Sequence, residues 1–267
     1  MGDILQDILE HKRREVAERV EVYPVKLLEK SIFFPSKPVS LREYLNRPDK
    51  VGIIAEIKRR SPSLGDINRY ISVEALSIGY MQAGASGLSV LTDQKFFGGS
   101  LDDLSTARRF NFCPILRKDF IVDPYQIIEA KSAGADVILL IAAALAPSET
   151  RSLATLARSF GLEVLLEVHS ESEIESHLSP EVSLVGVNNR DLSTFVVDTA
   201  VSERLAEKIP ADFVKVSESG ISTPEAIQRL KRVGYRGFLI GEAFMKATKP
   251  EAACRKFVGA IENVREV

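Results

Sequence analysis

The sequence predicts an α/β fold, a (β/α)8 TIM barrel with an N-terminal helical extension covering the barrel. Three observations carry that expectation. From residue 51 onward, short apolar runs alternate with amphipathic stretches; there are eight such runs; and charged side chains recur at their C-terminal ends. Strands alternating with helices imply a parallel sheet, and eight units of similar length favour a closed barrel over an open, doubly wound sheet. A length of 267 residues fits one such domain. In this architecture the strand ends share one mouth, where active sites are built.

The elements follow in order. Residues from about 3 to 21 place Ile4, Leu5, Ile8, Leu9 and Val16 at helical spacing. The cluster His11, Lys12, Arg13 and Arg14 then reads as the solvated face of that helix. A loop rich in Pro and Ser over 33–38 leads to a short helix near Ser40–Leu45, with Ser40 as its N-cap. Residues 1–48 are therefore expected to be a lid or cover on a single domain spanning 1–267. The apolar runs end near Lys58, Leu91, Leu116, Ile141, Glu167, Asn188, Glu218 and Ile240. Helices are expected over 72–83, 101–110, 124–133, 148–160, 171–178, 200–208 and 224–233. Asp123-Pro124, Pro147-Ser148 and Thr223-Pro224 supply start signals, and Gly84, Gly134, Gly161 and Gly234 fall where helices end.

Bulk properties exclude several function classes. A net charge of −2, from 35 basic and 37 acidic side chains, leaves no electrostatic footprint for nucleic acid or an anionic membrane. No run is long and apolar enough to span a bilayer, and the N-terminus lacks the apolar core of a signal peptide. Cys113 and Cys254 form no paired motif and read as buried free thiols, so a reducing, cytoplasmic setting is expected. The sequence leaves a pathway-enzyme partner unidentified.

The strand ends carry the chemistry. Glu56 and Lys58 are two residues apart, so both point to the same side of the sheet, at the barrel's inner mouth. They form either a salt bridge that plugs the barrel or part of a site, and a second lysine, Lys118, favours the site. Lysine serves as a general acid when burial or a neighbouring cation lowers its pKa. Glu167 ends an apolar strand across the barrel, a setting expected to raise its pKa and fit it for base or acid duty. Asn188 and Arg190 are a second i, i+2 pair, and Glu218 adds a third carboxylate. Three carboxylates against three cations would select an anionic substrate by local placement, not bulk attraction. Turns containing Ser219, Gly220 and Gly241 follow the last two strands, where barrels often hold phosphate, and Ser61 could add a hydroxyl donor. Phe96, Phe97, Phe120, Leu192 and Phe195 could wall a planar apolar ligand. The three histidines share no metal-ligand spacing, and His169 reads as a solvated loop residue.

These motifs taken together resemble the indole-3-glycerol phosphate synthase family. The residues concerned are Glu56–Ser63, Leu91-Thr92-Asp93 with Phe96–Ser100, Leu116–Ile121, Leu166–His169, Gly186–Leu192 and Ser217–Ile221. The resemblance spans the whole chain. It implies closure of the indole ring of a phosphorylated arylamino-ketose, with loss of carbon dioxide and water, in tryptophan biosynthesis and with no metal or organic cofactor. It further implies Lys118 as general acid, Lys58 on the substrate carboxylate, and Glu56 and Glu167 sharing base and acid duties. Asn188, Arg190 and Glu218 would orient substrate and lysines, while Ser61, Ser219, Gly220 and Gly241 would hold phosphate. Three other readings remain at this point. A Schiff-base aldolase would use Lys58 or Lys118 as nucleophile. A phosphate-sugar isomerase of the same pathway is closer in fold but gives no reason for a lysine–glutamate array of this size. An inactive barrel would bind phosphate ligands without turnover.

Overall fold

Eight parallel strands close on themselves in the order of the chain. The structure is a computed structural model and describes residues 4–191 and 194–263. The barrel strands are β1 (Ile53–Ile57), β2 (Gly87–Leu91), β3 (Ile115–Lys118), β4 (Val137–Ile141), β5 (Glu163–Val168), β6 (Leu184–Asn188), β7 (Val214–Glu218) and β8 (Tyr235–Ile240). Closure is made by β1, which pairs with β2 through Ile54↔Gly87 and with β8 through Ile53↔Phe238.

Strand alternation decides what faces the barrel axis. Ile54, Leu116, Leu165, Leu184, Val214, Val216 and Leu239 belong to the inner core. Ile53, Ala55, Ile57, Ile115, Val164, Val185 and Ile240 belong to the outer core, between the sheet and its helices. Counting two residues on from each inner position reaches Glu56, Lys118, Glu167, Gly186, Glu218 and Gly241. The polar strand ends thus continue the inward register of the apolar core beneath them.

The extension contributes to both ends of the barrel. Its first helix, α1 (Ile4–Val22), lies at the mouth, where Ile4, Leu5 and Ile8 line the central cavity. A short helix, α2 (Val25–Leu28), packs on a barrel helix, and α3 (Leu41–Leu45) sits at the opposite end. There Leu41 and Leu45 join the inner core. The α3 N-cap, Ser40, accepts from the Glu43 N–H at 3.0 Å and donates to Glu163 at 2.5 Å, fixing the plug to the start of β5. An N-cap of this kind stabilises a helix by about 1 kcal/mol.

The expected helices appear as α4 (Val73–Gln82), α6 (Leu101–Phe110), α7 (Pro124–Ala133), α8 (Pro147–Ser159), α9 (Glu171–His177), α10 (Ala200–Leu205) and α11 (Pro224–Arg232). A one-turn helix, α5 (Gln94–Phe97), precedes α6, and α12 (Glu242–Met245) and α13 (Pro250–Asn263) follow β8. Asp123 shows the local logic: it caps α7 through the Tyr125 N–H, Pro124 occupies the first turn, and Gln126 reaches back to the Asp123 N–H.

One expectation fails here. Lys12 is not on a solvated face: it is 1% exposed, with three carboxylates around its ammonium, while Arg13 and Arg14 are exposed. Its position three to four residues from Ile8, Leu9 and Val16 places it on the buried stripe of α1.

Candidate active site

The mouth encloses a cavity of about 530 Å³. Glu56, Lys58, Lys118, Glu167, Asn188, Arg190 and Glu218 line it together with Ser61, Phe97, Phe120, Ser219, Gly220 and Gly241. Leu192 lies outside the described residues.

Four charged side chains come from alternate strands: Glu56 on β1, Lys118 on β3, Glu167 on β5 and Glu218 on β7. Side chains of one barrel layer come from alternate strands, which is why residues so distant in sequence converge. The Lys118 ammonium lies 2.8 Å from Glu167 Oε2 and 2.9 Å from Glu218 Oε2. Lys58 pairs with Glu56 at 2.6 Å. Asn188 donates to Glu167 Oε1 at 2.9 Å, so this carboxylate is held on both oxygens. The strands between contribute glycines that make room. A Cβ on Gly186 would overlap Glu218 Oε1, and a Cβ on Gly241 would overlap Glu56 Oε1.

The electrostatics differ from the sequence expectation at two groups. Burial pushes the Glu167 carboxyl up, but Lys118, His169 and Asn188 outweigh it and hold the pKa below the ordinary value. The raised carboxyl is Glu218, pushed up to about 7 by burial and the nearby Glu167, against the pull of Lys118. Burial disfavours the Lys118 ammonium, yet Glu167, Glu218 and Glu56 raise its pKa above the ordinary value, not below it. The free site therefore keeps a proton on Lys118 at neutral pH.

His169 is another correction. It is largely buried, with Nε2 3.8 Å from Glu167 Oε1 and Nδ1 3.7 Å from Glu173 Oε2, and these carboxylates raise its pKa against the effect of burial. Its position two residues beyond Glu167 carried the signal, since i, i+2 residues leave a strand on one side.

Apolar walls occupy one side of the cavity, with the Phe97 and Phe120 ring centroids 6.1 Å apart. At the β7 and β8 ends, Ser219 and Gly220 have φ of 68° and 74°, a left-handed turn that a non-glycine residue adopts only when its surroundings enforce it. Arg190 faces Glu242 at 3.2 Å and donates to the Phe195 carbonyl at 3.3 Å; Lys246 pairs with Glu242 at 2.7 Å. Sequence reasoning missed Lys246 and the α1 residues among the lining groups. Among the described residues, no group of three His, Cys, Asp or Glu side chains could hold a metal ion.

This geometry defines a class: a barrel enzyme with several acid–base groups at its strand ends and an aromatic wall, suited to a small ligand that is apolar at one end. The sequence model of the indole-3-glycerol phosphate synthase family matches residues 5–257. An indole-3-glycerol phosphate synthase from Bacteroides thetaiotaomicron is 48% identical over 98% of this chain and 100% of its own length. One from Bacillus cereus is 45% identical over 93% of this chain and 95% of its own. Among solved structures, a tryptophan synthase alpha-subunit from Pyrococcus furiosus superposes with a TM-score of 0.60 at 14% identity, covering 80% of this chain and 99% of that one. That likeness shows the barrel fold alone.

The chain belongs to the indole-3-glycerol phosphate synthase family. It is a carboxy-lyase of tryptophan biosynthesis, converting the phosphorylated small molecule 1-(2-carboxyphenylamino)-1-deoxyribulose 5-phosphate to indole-3-glycerol phosphate with loss of carbon dioxide and water. No helix among the described residues is long and apolar enough to cross a membrane.

Proposed function

We propose that Lys118 is the general acid of ring closure, and the observation that carries this is its ammonium held between Glu167 and Glu218 in a largely buried site. The aryl carbon bearing the carboxylate attacks the ketone carbon, and Lys118 gives the ketone oxygen its proton. The electron pair of the aryl–carboxylate bond returns to the ring as carbon dioxide leaves. The new hydroxyl then departs as water with a second proton while a base takes a proton from the adjacent ring carbon. Proton transfer by a positioned group contributes roughly 10²–10⁴-fold to rate.

Lys58, beside Glu56, holds the substrate carboxylate and assists the departing hydroxyl. Glu167, fixed by Asn188, is the base, and Glu56 shares the acid duty through Lys58. Phe97 and Phe120 hold the aryl ring. Arg190 and Asn188 orient the substrate and Glu218 orients Lys118. Ser61 and the turns at Ser219, Gly220 and Gly241 receive the phosphate. The chain folds as one domain over 1–267, with 1–48 as its helical extension, works in the cytoplasm, and needs neither metal nor organic cofactor.

The test mixes purified protein with the arylamino-deoxyribulose phosphate and follows indole fluorescence without added metal. The chain has no Trp, so the background is low. Lys118→Ala is expected to abolish the rise while the fold survives. Near-normal turnover would remove Lys118 from its role.

A further inference from the structure

Buried charge also concentrates beside the cavity, at the ends of β2 and β3 under α1, where Asp119 still touches the cavity lining. The Lys12 ammonium is 2.9 Å from Asp93 Oδ2, 3.0 Å from Asp119 Oδ1 and 2.9 Å from Glu15 Oε2. Lys12, Asp93 and Asp119 are 1%, 0% and 2% exposed. A lysine in such a place must be paired, and removing the cation would leave two buried carboxylates facing each other.

Each aspartate has a second task. Asp93 caps α5, its Oδ1 accepting the Phe96 N–H at 2.7 Å and the Phe97 N–H at 3.3 Å. Asp119 Oδ1 accepts the Phe120 N–H at 2.8 Å, and Oδ2 accepts from Thr92 Oγ1 at 2.5 Å and pairs with Arg117 at 3.0 Å. The two backbones held this way carry Phe97 and Phe120, whose rings are neighbours in the cavity wall. One turn before Lys12, Ile8 enters the same cavity, followed by Leu5 and Ile4.

We propose that Lys12 is a positioning residue for the substrate's aryl ring, joining the α1 cover to the Phe97 and Phe120 wall through Asp93 and Asp119. This rests on the reading that the aryl ring lies against that wall. Without the ammonium, Asp93 and Asp119 repel, α5 and the Phe120 segment separate, and α1 loses its seat. Lys118 points inward to Glu167 and Glu218 and keeps its partners. The loss therefore falls on binding that ground state and transition state share, and appears in KM more than in kcat.

The experiment compares steady-state kinetics of the wild type, Lys12→Met, Asp93→Asn and Val16→Ala, each assayed below its own melting midpoint. Lys12→Met is expected to raise KM about tenfold, the scale of one lost aromatic contact, with kcat within about threefold. Asp93→Asn keeps the cap acceptor but removes the charge, and is expected to raise KM in the same direction, so it carries the test if Lys12→Met does not fold. Val16→Ala weakens α1 docking away from the network and is expected to lower the melting midpoint with KM unchanged. An unchanged KM in the folded Lys12→Met or Asp93→Asn protein would overturn the proposal. So would a loss confined to kcat, or a Val16→Ala protein whose KM rises as far. Phe97→Ala tests the underlying reading separately: an unchanged KM there would refute the aryl wall itself.

Discussion

Gly186→Ala tests whether a missing side chain sets the environment of Lys118. Gly186 lies on β6, and an added Cβ would sit 3.3 Å from Glu218 Cδ and 3.2 Å from Leu165 Cδ1, while overlapping Glu218 Oε1. Leu165 is fully buried in the inner core and cannot yield, so the carboxylate must retreat by about 1 Å to restore ordinary contact. If Oε2 moves with it, from 2.9 Å to about 3.9 Å of the Lys118 ammonium, the attraction of the ionised carboxylate weakens by about 1.5 kcal/mol at an effective dielectric near 20. That energy corresponds to about tenfold in rate, and a displacement of about 1 Å at reacting groups extends the range toward 10²-fold. Overpacking should also cost about 1–3 kcal/mol of stability. The assay is indole fluorescence, with kcat and KM determined at a temperature where circular dichroism shows the variant folded. A folded Gly186→Ala protein with kcat within twofold of wild type would refute the idea that this glycine keeps Glu218 against Lys118.

Two further outcomes follow from the electrostatics. Glu218 titrates near pH 7 in the folded chain against an ordinary 4.5, so between these values the folded state holds a proton the unfolded state has lost. Stability must then fall as pH rises across that window, by about 3 kcal/mol when complete. Glu218→Gln should gain melting temperature relative to wild type as pH goes from 4.5 to 8 while losing kcat; a pH-independent difference in thermal melts would count against the titration. Glu242 is ionised, its burial outweighed by Lys246, Arg190 and Lys58, and it pairs with two cations beyond the end of β8. Glu242→Ser should lower KM for the phosphorylated substrate several-fold with a steeper salt dependence, and an unchanged or higher KM would show that Glu242 does not compete with the phosphate.

Much of the barrel was legible because its rules are local. The helix starts at Asp123-Pro124 and Thr223-Pro224 are read from caps. The inward direction of Glu56 and Lys58, or of Asn188 and Arg190, follows from a period of two. Lys12 was misread because its neighbours Arg13 and Arg14 are exposed, and the reading assigned the whole cluster to one face. Lysine at a buried helical position is rare, and it is explained here by Asp93 and Asp119, which arrive from two strand ends, together with Glu15 on its own helix. His169 was misread for a similar reason: the carboxylate beyond it, Glu173, approaches from the following helix.

The pKa order of Glu167 and Glu218 shows where the division falls. Both end apolar strands, and their sequences do not separate them. Folding gives Glu167 an amide from Asn188 with Lys118 and His169 beside it, and leaves Glu218 with Lys118 and a facing carboxylate. By itself the sequence determined the strand count, the side of the sheet each charged residue takes and the residue types available for acid–base work, because these depend on neighbours along the chain. Tertiary structure alone decided which carboxylate is pushed up, which lysine sits between Glu167 and Glu218 and which between Asp93 and Asp119, and which glycines must stay empty. Those depend on distances of about 3 Å between strands far apart in sequence, where Coulomb and packing energies change over fractions of an ångström.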